Sequence, residues 1–312
     1  MTKSSGTILD GERRPEGRGA GTAPRKVLVT GVSGQVGGSL VSAVPQGITL
    51  LSSAHQDLDI TDGDAVHAYV QRQKPAVIIN CAAYTAVDRA ESEPELARRV
   101  NVDGPRNFAI AARDAGARLI HVSTDFVFDG TASSPYRPDA RTNPLSVYGK
   151  TKLAGEQAVL EALPAKSVIV RTAWVYAAAG NNFVRTMLRI MKANGSVRVV
   201  ADQVGTPTAA RGLAETLWQL VAKPEIQGIH HWTDAGVASW YDFAVAIAEE
   251  GAQLGLLPDN VVVTPIATAD YPTPARRPPY SVLDKTSLTS SGFTLVHWRK
   301  RLRTVLGELK NG

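Results

Sequence analysis

"KVLVTGVSGQVGGSL", residues 26–40, decides the fold. It opens with a short apolar, β-branched run that ends at Gly31, the pattern of a strand closed by a turn. Gly31, Gly34 and Gly37 follow in a G-x-x-G-x-x-G spacing, and a helical pattern opens behind them. Glycine permits the tight turn and lets backbone N–H groups approach a pyrophosphate at the positive end of a helix. Strand, glycine turn and helix in that order predict a dinucleotide cradle.

Outward from this stretch the theme repeats. "AVIINCAA" (76–83), "ARLIHVSTDFVF" (117–128) and "KSVIVRTAWVY" (166–176) are further apolar runs without polar alternation, as expected of strands buried on both faces. Helical patterns at 92–115 and 144–163 lie between them, the second with Asn143 as N-cap and Pro144 at its first position. Strands alternating with helices predict an α/β fold, a Rossmann-type doubly wound parallel sheet whose ligands sit at the carboxyl ends of the strands. The alternation weakens after residue 176; 181–195 and 239–255 read as helices, 271–284 as a Pro-rich ordered loop, and "GIHHWTD" (228–234) as a strand returning to the main sheet. The expected division is a disordered tail at 1–24, a dinucleotide-binding domain at 25–176 with a return near 209–235, and a smaller, mostly helical substrate-binding lobe from 177–208 and 236–308.

Composition narrows the class. With 44% hydrophobic and 20% charged residues in 312, the chain is an ordinary globular protein with no apolar run of membrane-spanning length. Its start carries no secretory signal, so a cytoplasmic location is expected. The net charge of +5 is modest, and no basic run is interleaved with aromatics, so neither nucleic acid nor membrane is expected as a partner. Cys81, the single cysteine, excludes an internal disulfide, and the six histidines lack metal-ligand spacing.

The cofactor's identity is read at the end of the second strand, where an acid about 20 residues on would bond a ribose 2′-OH and repel a 2′-phosphate. Ser52 and Ser53 stand there, with no carboxylate before Asp57, which favours NADPH and leaves NADH as the alternative. "LDIT" (58–61) and "CAAYT" (81–85) fall where adenine and the nicotinamide ribose would lie.

"SVYGKTKLAGE" (146–156) supplies the chemistry: on a helix, Tyr148 and Lys152 sit one turn apart on one face. Hydride delivery to a ketone builds negative charge on its oxygen, so a proton donor is needed within hydrogen-bond reach. An ammonium ~4 Å from the phenol, at an effective dielectric of ~20, contributes about 4 kcal/mol or about 3 pKa units, which would bring the tyrosine toward 7. Thr124, at the carboxyl end of its strand, would hold the carbonyl oxygen in line.

With these residues in place, 26–306 resembles the dTDP-4-dehydrorhamnose reductases of the short-chain dehydrogenase/reductase superfamily. The matching stretches are "GVSGQVG", "INCAAYTAVDRAESEP", "HVSTDFVFDG", "PLSVYGKTKLAGE", "RTAWVY" with "GNNFVRTMLR", "DQVGTPT", "SWYDFA" and "YPTPARRP". The resemblance implies reduction of dTDP-4-dehydro-β-L-rhamnose to dTDP-L-rhamnose, a nucleotide-sugar substrate, and leaves a homodimer open. It implies that Gly34, Gln35 and Val36 hold the pyrophosphate, that Asp59 and Ile60 flank adenine, and that Ala83, Tyr84 and Thr85 line the nicotinamide half. By the same resemblance Tyr148 is the general acid, Lys152 its partner and ribose anchor, and Thr124 the carbonyl orienter. Asp125 and Trp174 would meet the sugar, and Arg276 and Arg277 the diphosphate. The chain departs from the family pattern in three ways: Phe126 for a frequent Tyr, Tyr280-Ser281 for a common Asn-Ser, and Ser39 and Arg211 where some members hold Mg²⁺ with carboxylates. No metal is therefore expected. The alternatives are another nucleotide-sugar reductase or epimerase of the superfamily, or a non-catalytic NADP-binding regulatory subunit.

Overall fold

The computed structural model describes residues 25–311; the 1–24 tail lies outside them. Six strands form the main sheet: β1 (Arg25–Thr30), β2 (Ile48–Ser53), β3 (Val77–Asn80), β4 (Arg118–Thr124), β5 (Ser167–Thr172) and β6 (Gly228–His231). Their order is β6-β5-β4-β3-β1-β2 and every pairing is parallel. The order reverses between β1 and β3, which opens a crevice at the carboxyl ends of those strands.

The strands are apolar throughout because helices cover both faces. Val27, Val29, Ile79, Ile120 and Val170 face one side with Leu213, Leu217 and Trp218 of the helix Ala210–Ala222. Leu28, Ile78, Leu119 and Ile169 face the other, against Val66 and Val70 of the helix Gly63–Gln73 and Phe108 of the helix Gly104–Asp114. Alternate residues of one strand thus enter opposite cores, each fully buried side chain contributing about 1.5–3 kcal/mol.

Helix α1 (Gln35–Ser42) follows the glycine turn, and α2 (Val147–Ala162) carries the Tyr-x-x-x-Lys pair. The helical pattern at 92–115 is interrupted: Pro94–Arg98 and Gly104–Asp114 are α-helical, but a π-helical turn at Arg99–Asp103 joins them. The start of α2 differs from the sequence expectation. Its N-cap is Ser146, whose hydroxyl accepts from Gly149 N at 3.1 Å. Asn143 instead donates to Asp129 at 3.0 Å in the preceding loop. Serine and asparagine are nearly equal as caps, and here the serine next to the first helical residue takes the place while the Asn143 amide is engaged by Asp129.

A second apolar cluster packs α3 (Phe183–Asn194), α4 (Trp240–Gln253) and α5 (Trp298–Asn311) through Met187, Met191, Phe243, Ile247, Trp298 and Leu302. A two-stranded parallel pair, Ser196–Val200 with Val262–Ile266, adds β structure to a part of the chain expected to be mostly helical. No described helix is long and apolar enough to cross a membrane.

Candidate active site

The carboxyl ends of β1 to β5 open onto one cleft of about 950 Å³, ample for a dinucleotide with part of a second ligand. Its floor is the glycine turn. Gly31 has φ +69°, and a Cβ there would lie 2.7 Å from Ala82 N; a Cβ on Gly37 would lie 2.2 Å from Gly31 O. Gly34, Gln35, Val36 and Gly37 all line the cleft. No side chain caps the start of α1 and its first turn holds no acid, so the positive helix end is free for an anion. This cradle fits a pyrophosphate.

Asp59 and Ile60 line the same cleft. Asp59 accepts from the N–H and hydroxyl of Thr61, both at 2.9 Å, and the backbone bond foremost holds its carboxyl below the usual range. Ser53 lines the cleft and Ser52 does not; Asp57 accepts from Ala54 N at 2.9 Å and also lies outside the lining. His55 and Arg99 also line the cleft, within electrostatic reach of Asp59, and no sequence motif marks either. Ala83, Tyr84 and Thr85 line the cleft as well. Asn101, turned inward by the π-turn, clamps the Tyr84 backbone by accepting from its N–H at 2.9 Å and donating to its carbonyl at 3.1 Å. The Tyr84 hydroxyl donates to Glu93, whose carboxylate keeps that phenol above its ordinary range.

Thr124, Tyr148 and Lys152 are all buried and all line the cleft, Tyr148 packing in one cluster with Tyr84 and Phe126. The ring of Phe126 meets Tyr148 edge-on at 5.5 Å. Lys152 Nζ donates to Val122 O at 2.8 Å and lies 3.3 Å from His121 Nε2. This corrects the expected electrostatics. Burial pushes the Tyr148 phenol up to about 12, opposed by the Thr124 hydroxyl, and burial brings Lys152 down to about 8, opposed by Glu156. Desolvation of a phenolate outweighs the attraction expected from the ammonium, which here is directed at a backbone carbonyl. The tyrosine is consequently a neutral phenol at neutral pH, the form that can give a proton.

Asp125, fully enclosed, accepts from Thr124 Oγ1 at 3.1 Å. Burial pushes its carboxyl up to about 6 against the pull of the Ser281 and Thr124 hydroxyls. Trp174 holds φ +48°, a left-handed conformation costly for a bulky residue, and stacks on Trp240 with centroids 3.6 Å apart; both indoles line the cleft. Arg277 lines the cleft while bound to both oxygens of Asp88, at 3.1 and 2.8 Å. Arg276 is exposed and does not line it, because the loop turns adjacent side chains apart. Of the departing positions, Tyr280 lies toward Tyr136, centroids 6.2 Å apart, and outside the lining. Ser39 donates to Gln35 O at 2.8 Å, and Arg211 pairs with Glu215 and Glu308. Among the described residues no three His, Cys, Asp or Glu side chains are grouped to hold a metal. Asn182, within the matching stretch "GNNFVRTMLR" but given no role by the resemblance, caps α3 through Arg185 N and donates to Gln35 Oε1 at 3.0 Å.

A parallel sheet whose glycine turn and buried tyrosine face the same cleft is the build of a short-chain dehydrogenase/reductase, and comparison with known proteins narrows that class. The family model described as "RmlD substrate binding domain" matches residues 25–311. A dTDP-4-dehydrorhamnose reductase of Streptomyces griseus is 46% identical over 283 residues, 88% of this chain and 91% of its own length. The crystal structure of a dTDP-4-dehydrorhamnose reductase from Clostridium acetobutylicum is similar with a TM-score of 0.86 at 42% identity, covering 91% of this chain and 99% of that one. That of the Bacillus anthracis reductase in complex with NADP gives a TM-score of 0.86 at 36% identity with the same coverage. The chain belongs to the dTDP-4-dehydrorhamnose reductase family, which makes it an NAD(P)H-dependent oxidoreductase.

Proposed function

We propose that this chain uses NADPH to reduce the 4-keto group of dTDP-4-dehydro-β-L-rhamnose, forming dTDP-L-rhamnose. The observation that carries this reading is the placement of Thr124 and Tyr148 on the same cleft as the glycine cradle. The Bacillus anthracis relative, described in complex with NADP, supports the cofactor. When bound, the dinucleotide supplies the hydride that adds to the carbonyl carbon.

Each residue's task follows from its setting. Tyr148 donates its phenolic proton to the carbonyl oxygen as that oxygen gains charge, and burial keeps the proton in place beforehand. Thr124, whose hydroxyl acts on Tyr148, orients the same oxygen. Lys152 contributes its charge to the phenolate left behind and anchors the ribose. Asp125 and the Trp174–Trp240 stack receive the sugar, an indole face suiting a deoxysugar's apolar side. Arg277 reaches the diphosphate with the part of its fork that Asp88 leaves free. Phe126 offers no hydroxyl, so sugar recognition at that wall is apolar. A cytoplasmic location goes with this reading, the lone Cys81 fitting a reducing compartment. Homodimerisation belongs to it as well, and sedimentation of the purified chain tests it.

The test is incubation with NADPH and dTDP-4-dehydro-β-L-rhamnose, with the product identified by mass and stereochemistry. Stoichiometric loss of NADPH absorbance marks a reductase, whereas an epimerase interconverts sugars with no net oxidation. Binding of NADPH without turnover marks a regulatory module and refutes the proposal.

A further inference from the structure

Beneath the cleft runs a chain of buried polar groups that the reaction as described does not use. Thr30, Asn80 and His121 are each 1% exposed or less, on β1, β3 and β4 respectively. Asn80 Oδ1 accepts from Thr30 Oγ1 at 2.7 Å and from Ala82 N at 3.1 Å. Asn80 Nδ2 lies 3.2 Å from His121 Nδ1, and His121 Nε2 lies 3.3 Å from Lys152 Nζ.

The donors and acceptors along this chain can be assigned by elimination. A backbone N–H only donates, so the Asn80 atom facing Ala82 N is oxygen, and the atom facing the imidazole is the amide NH₂. His121 Nδ1 must then accept, which places the ring proton on Nε2. That N–H points at Lys152 Nζ, which already donates to Val122 O at 2.8 Å. An uncharged amine has a lone pair for it; an ammonium has none, and two donors then face each other. Relieving the conflict by rotating the Asn80 amide would leave the Ala82 N–H opposite another donor.

We propose that His121 is a positioning residue for Lys152: its Nε2–H, fixed by Asn80, opposes the ammonium form and so sets the upper pH at which the pair with Tyr148 works. This rests on the catalytic reading of Tyr148 and Lys152. The other titratable groups acting on Lys152 are Glu156 from its own helix and Cys81 just beyond β3, while Tyr148 stands one turn before it on that helix and lines the same cleft. Glu156 favours the ammonium, so the histidine and the glutamate act in opposite directions on one side chain.

Two readouts test it, one of them independent of turnover. ¹⁵N NMR of the full chain labelled in its histidines, with His121→Leu for assignment, is expected to show His121 protonated on Nε2 and bare on Nδ1. In Asn80→Asp a carboxylate oxygen faces Nδ1, so the proton moves to Nδ1 and Nε2 becomes an acceptor for the ammonium. The alkaline limb of kcat is then expected to move up by about one pH unit, a tenfold change in the protonation equilibrium. His121→Leu, which adds no charge, is expected to move it the same way. A wild-type His121 protonated on Nδ1, or on both nitrogens, overturns the inference whatever the activity. So does an unmoved limb in Asn80→Asp while Tyr148→Phe abolishes turnover. Turnover retained in Tyr148→Phe overturns instead the catalytic reading, and the tautomer result stands apart from it.

Discussion

Gly37→Ala, compared with Gly38→Ala next to it, isolates what the glycine turn does. A Cβ on Gly37 would lie 2.2 Å from Gly31 O, 2.7 Å from Gly31 C and 2.8 Å from Val32 Cα, all backbone atoms that no rotamer change can move aside. Restoring contact distance requires a displacement of about 1 Å between the turn and α1, and a misplacement of that size costs on the order of 100-fold where geometry is demanding. The expected loss in NADPH affinity is therefore about 100-fold, or about 2.7 kcal/mol. A Cβ on Gly38 would meet nothing nearer than Val32 O at 3.5 Å, an ordinary contact. Gly38→Ala should bind NADPH within a few-fold of wild type and stabilise the helix by about 0.5–1 kcal/mol. Nicotinamide fluorescence titration gives the affinities, and urea unfolding gives the stabilities. If Gly37→Ala bound NADPH like wild type, or if both variants lost it equally, close packing of the turn on α1 would not be what shapes the cofactor site.

Tyr148→Phe should lower kcat/KM by roughly 10²- to 10⁴-fold while leaving NADPH affinity within a few-fold, since the ring and its contact with Phe126 remain; steady-state kinetics beside fluorescence titration checks both halves. Glu156→Leu removes one member of an ion pair in which Glu156 and Arg171 are 1% and 2% exposed, with bonds of 2.7 and 3.0 Å. The stranded guanidinium should cost about 3–5 kcal/mol in urea unfolding, and a loss below 1 kcal/mol would contradict the pair's structural weight. Asp125 has its folded pKa raised from 3.8 to about 6, so the native state holds a proton that the unfolded state releases in that interval, and stability falls as pH rises through it. The penalty reaches at most about 3 kcal/mol above pH 6. Asp125→Asn should therefore gain stability over wild type by a larger margin at pH 7 than at pH 4.5, and an equal margin at both would disprove the raised carboxyl.

Much of this molecule could be read from the chain because local pattern and tertiary use coincide. The run ending at Gly31 is apolar on alternate faces for two separate cores, which is why it shows no polar alternation and reads as a doubly covered strand. Gly31 and Gly37 are glycines for steric reasons that any residue with a Cβ would violate, so their spacing carries the signal. Other parts of the site have no such local mark. His55 and Arg99 reach the cleft from separate elements, and nothing in their neighbours distinguishes them from surface residues. Trp174 and Trp240 lie 66 positions apart and meet only when the later helices close over the sheet. The raised pKa of Tyr148 is invisible in the sequence because spacing reports which groups are neighbours but not how dry their surroundings are. Between Arg276 and Arg277, only the turn of the loop selects the one that faces inward.

The π-turn at Arg99–Asp103 accommodates one residue beyond what an α-helix would hold between the same two ends. Each added residue in a regular helix rotates everything beyond it by about 100°, so this surplus is what lets Pro94–Arg98 and Gly104–Asp114 keep their own inward faces while Asn101 looks at Tyr84. Shortening the segment by one position would give a smoother, better-bonded cylinder and leave the Tyr84 backbone with no clamp. The helix is irregular where it serves the cleft, and a designer tidying its geometry would remove the part that matters.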